Sequence, residues 1–155
     1  MIQRLQSLYL IMVLLLSLLF FKGSVFNCID ETGQAIKVML NGLLTDQSGQ
    51  SFARVTALWP VVAILTGLIL ISIVTLLMFR NRRIQLMLAM SVIGLSCGLI
   101  IALAVYAYIA AHSYRLSIVP ELKMAIPVLV LIFSVLAYRG ILKDEHLVKS
   151  YDRLR

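Results

Sequence analysis

Residues 84–114 read IQLMLAMSVIGLSCGLIIALAVYAYIAAHSY, a run without Asp, Glu, Lys or Arg, bounded by Arg83 and Arg115. A helix needs about 20 apolar residues to cross the ~30 Å hydrocarbon core of a bilayer, so this stretch sets the fold class. Three further charge-free runs lie outward from it: Leu5–Phe21, Val55–Phe79 and Met124–Tyr138. Val55–Phe79 passes easily, and Leu5–Phe21 meets the lower limit. Met124–Tyr138 is too short by itself. A helix started near Val119-Pro120 restores the length, because proline is welcome in a first turn. Glu121 then faces the positive end of the helix dipole and Lys123 reaches the headgroups. Pro127 falls inside that span and is expected to kink it. The expected fold is therefore all-α in the membrane, with four transmembrane helices over 5–21, 56–79, 85–109 and 119–138. Aromatic residues, which favour the membrane–water boundary, sit near these limits: Trp59, Phe79, Tyr108, Tyr114 and Tyr138.

Composition excludes the main alternative. Of 155 residues, 61% are hydrophobic and 14% charged, against roughly 45–50% and about 25% in soluble domains. A water-soluble enzyme of this size would lack the polar groups to cover its surface. The formal charge of +7 would point to nucleic acid in a soluble protein. Here the basic residues flank the apolar runs, so they are topology signals and lipid contacts, and no nucleic-acid partner is expected. With the N-terminus inside, nine basic residues fall on the cytoplasmic side: Arg4, Arg80, Arg82, Arg83, Arg139, Lys143, Lys149, Arg153 and Arg155. Five fall outside: Lys22, Lys37, Arg54, Arg115 and Lys123. Short basic turns stay in the cytoplasm, so both termini are expected inside. The first run has the length of a signal-peptide core, but Phe21-Lys22-Gly23-Ser24-Val25-Phe26 offers no small-x-small cleavage site. A lipoprotein site is also missing, since Asn27 precedes Cys28. The run reads as a retained anchor.

Between the first two runs lies an outer loop, residues 22–54. It reads as short strands, Val25–Asp30 and Ala35–Leu40, then the turn pair Asn41-Gly42 with Leu43-Leu44-Thr45 after it, and loop over Gln47–Gln50. A lone hairpin is marginal in water, so this small β-like meander needs a cover for its apolar face. The tail, 140–155, carries seven charges in sixteen residues. Leu147, Tyr151 and Leu154 fall on one helical stripe with Val148 beside it. It reads as a short amphipathic cytoplasmic helix, either an interfacial anchor or a docking site for a protein partner.

The chain offers little chemistry. No carboxylate lies within the four runs, which weighs against a coupled transporter. Cys28 and Cys97 are expected unpaired, at different depths and without a CxxC. His112 and His146 fall on opposite sides of the expected membrane, so no metal or cofactor site is expected. Ser91, Ser96, Ser113 and Ser134 have no histidine or lysine at activating spacing. The nearest thing to a polar cluster at the bilayer edge is His112, Tyr114, Arg115 and Glu121.

One packing motif stands out. Gly94, Gly98 and Ala102 recur every four residues in the third run, and small residues let helices approach closely in lipid. They serve either packing within the bundle or a homo-oligomer seam. Within a bundle, Gly98→Leu is expected to push a neighbouring helix away, while Leu99→Ile is nearly silent.

The two ends carry a resemblance. The opening MIQRLQSLYL and the closing DEHLVKSYDRLR resemble a family of small bacterial four-span membrane proteins catalogued as a domain of unknown function. The resemblance covers the whole chain and implies a bacterial cytoplasmic (inner) membrane. It supplies no activity, substrate or catalytic residue. The expected role is a non-enzymatic structural or accessory component working through partners in the lipid bilayer. The alternatives are a transporter or channel subunit, and a membrane-embedded enzyme acting on lipid or quinone.

Overall fold

The structure, a computed structural model, describes residues 3–22, 24–29, 35–40, 43–46, 51–54, 58–78, 81–113, 117–119 and 122–152. Side chains are described over 6–22, 27, 40, 58–78, 81–109, 111–112, 119 and 123–145. Among the described residues the chain forms four helices, α1 (Gln3–Phe21), α2 (Trp59–Leu77), α3 (Arg82–Ser113) and α4 (Ile126–Asp152). In each, the residues that turn inward are spaced four and three apart. In α1 they are Gln6, Leu10, Val13, Ser17 and Phe20; in α2, Val61, Leu65, Leu68, Ser72 and Thr75. In α3 they are Gln85, Ala89, Val92, Ser96, Leu99 and Leu103, and in α4 Ile126, Val130, Ser134, Ala137, Ile141 and Asp144. A mean repeat near 3.5 keeps one stripe facing neighbours that cross at shallow angles. Each helix packs on two others, in the ring α1–α2–α3–α4 with α4 closing on α1.

The outward faces are apolar too. Leu15, Leu70, Leu77, Met87 and Ile101 are all more than half exposed. Among the described residues, α2, α3 and α4 are long and apolar enough to cross a membrane, and α1 is apolar over Gln6–Phe21. The 19 residues of α1 rise about 28 Å.

The expected strands in the first loop are present. They are β1 (Ser24–Ile29), β2 (Ala35–Met39) and β3 (Leu43–Asp46). Two strands were not expected: β4 (Ser51–Arg54) and β5 (Ser117–Val119), the latter from the α3–α4 connection. All neighbours pair antiparallel in the order β4-β3-β2-β1-β5. Five strands supply what a single hairpin lacks. Leu40, at the end of β2, is buried in the same apolar cluster as Phe20, Leu58, Leu103 and Ile126, so the sheet is tied to one end of the bundle. The Asn41-Gly42 and Gln47–Gln50 readings lie outside the described residues.

Two boundaries differ from expectation. The fourth helix does not start at Val119-Pro120. Val119 closes β5, in the extended backbone that a residue before proline prefers. A 3-10 turn, Leu122–Ala125, follows, and α4 begins at Ile126. Pro127 is therefore in the first turn, where its missing N–H costs nothing, and the expected mid-span kink has no cause. The tail is also not a separate helix. It continues α4 as far as Asp152, and Ile141 (1% exposed) and Asp144 (8%) extend the buried stripe beyond Arg139.

Candidate functional site

Polar side chains concentrate at the bundle end away from the sheet, where α1 begins, α2 ends, α3 begins and α4 runs out. The α2–α3 connection is tight there. Asn81 N–H donates to the Met78 carbonyl at 3.1 Å, and Gln85 N–H to the Asn81 carbonyl at 3.0 Å. This sets Arg82 and Gln85 on the first turn of α3, pointing back into the bundle.

Three side chains stitch the helices together at this end. The Gln6 amide donates through Nε2 to the Gly140 carbonyl at 2.9 Å, joining α1 to α4. The Gln85 amide, buried, donates through Nε2 to the Thr75 carbonyl at 3.4 Å, joining α3 to α2. Arg82 donates through Nη1 to the Asp144 carbonyl at 3.1 Å, joining α3 to α4. Gly140 is required sterically, because a Cβ there would lie 2.9 Å from Gln6 Cγ. The Asp144 side chain is nearly buried beside this cluster. Each amide and the guanidinium is spent on a backbone carbonyl of another helix, so the arrangement fixes helix positions.

Along the buried stripes the hydroxyls bond their own helix. Ser17 donates to the Val13 carbonyl at 2.7 Å, Thr75 to Ile71 at 2.6 Å, Ser96 to Val92 at 2.8 Å and Ser134 to Leu131 at 2.7 Å. Ser72 differs: it is fully buried and its hydroxyl has no hydrogen-bond partner among the described residues. Of the other serines named from sequence, Ser91 is exposed and donates to the Met87 carbonyl, and the Ser113 side chain lies outside the described residues.

The remaining residues singled out from sequence are dispersed. Gly94 and Gly98 turn away from the other helices, since a Cβ added at either meets nothing within 4 Å. Ala102 packs against the core cluster. Cys97 is a free, exposed thiol, and the Cys28 side chain lies outside the described residues. His112 is exposed and stacks on Tyr108, with centroids 5.6 Å apart and planes 11° apart. Tyr114, Arg115, Glu121 and Leu154, and the side chains of His146, Leu147, Val148 and Tyr151, lie outside the described residues. Among the described residues no group of three or more His, Cys, Asp or Glu is placed to hold a metal.

Sequence reading missed Gln6, Ser72, Thr75, Gln85, Gly140 and Asp144. A usable signal was present. In a chain apolar on every face, polar residues recurring at 3.5-residue spacing mark the side that turns away from lipid.

The family model described as Domain of unknown function (DUF4293) matches residues 2–154. No curated protein and no solved structure matches the chain. The chain belongs to that family.

Proposed function

We propose that this member of the family is a four-span protein of the bacterial inner membrane, with both termini cytoplasmic, acting as a non-enzymatic accessory component through partners. The observation that carries the reading is the inversion of polarity. Large apolar side chains such as Leu70 (63% exposed) and Met87 (74%) face outward, while Gln6, Ser17, Ser72, Gln85 and Ser134 are buried. That arrangement suits lipid outside and hydrogen bonding inside. The basic α2–α3 turn supports a cytoplasmic position for the stitched end, which leaves the sheet outside. The stitching itself supports a structural role, because Gln6, Gln85 and Arg82 each donate to a backbone carbonyl of another helix.

Alkaline phosphatase fused after Gln50 is expected to be active, and fused after Arg83 inactive. The reverse pattern overturns the orientation, and loss of the first run from the mature protein overturns the four-span count. The partner is expected at the C-terminal tail. Lys143–Arg155 carries four bases and three acids, a mixture that suits a protein surface better than anionic lipid, where each base adds roughly 1 kcal/mol and each acid opposes it. Ile141 and Asp144 belong to the bundle stripe and precede the tail's apolar positions Leu147, Val148, Tyr151 and Leu154. Deleting Leu147–Arg155 is therefore expected to leave insertion and abundance intact while abolishing a cytoplasmic crosslink. Degradation of the truncated protein would make the tail an anchor, and survival of every crosslink would remove it as the docking site.

A further inference from the structure

Near the sheet end, α3 and the start of α4 part around a groove of about 190 Å³, whose lining includes Phe20, Ala104, Ala107, Met124, Pro127 and Val128. Its lining is almost wholly apolar. The space exists because two alanines one turn apart on α3 face a proline at the start of α4. It is smaller than the roughly 300–1,000 Å³ of sites that enclose a whole small molecule. An apolar recess offers water nothing to bond. A hydrocarbon chain whose remainder lies in the bilayer fits it.

Two lysines adjoin the groove lining along the chain. Lys123 is the chain neighbour of Met124, and the exposed Lys22 lies two residues past Phe20. Both sit at the bundle end that carries the sheet. Tyr108, exposed, stands one turn beyond Ala104 on the same face of α3, as expected of an aromatic ring at the headgroup level.

We propose that this groove is a lipid site: one acyl chain of an anionic phospholipid lies between α3 and α4 against Phe20 and Pro127, with its phosphate held by Lys22 and Lys123. The proposal rests on the membrane-spanning reading above. The test uses the full chain, purified in mild detergent, with phosphatidylglycerol or phosphatidylcholine added back and bound lipid counted by native mass spectrometry. One phosphatidylglycerol is expected to be retained in preference to phosphatidylcholine. Lys22→Gln and Lys123→Gln are each expected to weaken that preference about fivefold. Ala104→Phe, which fills the groove, is expected to abolish retention of either lipid. Val105→Phe, on the exposed neighbouring position, is expected to leave it unchanged. Ala107→Val serves as a milder filler, and melting temperatures in detergent identify any variant that is misfolded. Equal retention of the two lipids, or retention that survives groove filling in a folded variant, overturns the site. A chain that washes from membranes in alkaline carbonate yet binds phosphatidylglycerol overturns the spanning reading instead.

Discussion

Gly140→Ala is expected to destabilise the protein by about 1–2 kcal/mol, and the same substitution in a Gln6→Ala background to stabilise it. The sign change follows from two opposing effects. In a helix interior alanine is favoured over glycine by about 1 kcal/mol. In the native protein, however, the new Cβ lies 2.9 Å from Gln6 Cγ. Gln6 cannot swing aside freely, because its amide is bonded to the carbonyl of Gly140 itself. Displacing it breaks that bond and strands a buried amide, at about 1–3 kcal/mol, and forces α1 from α4. With Gln6 shortened, the clash disappears and the helix preference remains. Thermal unfolding of the two single variants and the double variant measures the coupling. A Gly140→Ala effect of the same sign in both backgrounds would show that the contact does not position the helices.

Leu99→Ala is expected to cost about 1–3 kcal/mol, and its neighbour Gly98→Leu less than about 0.5 kcal/mol in the monomer. Leu99 is 1% exposed on the buried stripe of α3. Its truncation leaves a cavity whose lining loses contacts outright. The loss is smaller than in water-soluble cores, because transfer into lipid carries no hydrophobic penalty between helices. A Cβ at Gly98 meets nothing within 4 Å, so a side chain there starts into open space. This reverses the in-bundle expectation for Gly98→Leu. The comparison is made by unfolding in detergent under monomeric conditions. A seam between two copies is the other role open to the stripe, and the exposed thiol of Cys97 would report it. If oxidation crosslinks two chains through Cys97, Gly98→Leu is expected to suppress that crosslink while monomer stability is unchanged. A large loss of monomer stability in Gly98→Leu would mean that a neighbouring helix covers this face.

The candidate site was less legible than the fold, and Gly140 shows why. In the sequence it follows Arg139 at the edge of a charged segment, where a glycine reads as the end of a helix. Its partner Gln6 is 134 residues away, and only the antiparallel return of α4 along α1 brings them together. The glycine stripe is a second case. Spacing placed Gly94, Gly98 and Ala102 on one face, but spacing carries no information about which way that face turns. The β5 strand is a third case. Val119 before Pro120 carried a local signal for extended backbone, yet three residues make a strand only because β1 offers an unpaired edge.

The four helix-forming runs and the first three strands of the first loop were set by the sequence alone, because exclusion of charge from hydrocarbon and local backbone preference act within a few residues. The inward face of each helix was decided by tertiary structure. In a soluble bundle, water separates apolar from polar faces and leaves an amphipathic pattern that can be read directly. Here both surroundings are apolar, so the choice falls to close packing and to the few polar side chains that must find a partner, and those partners lie on other helices.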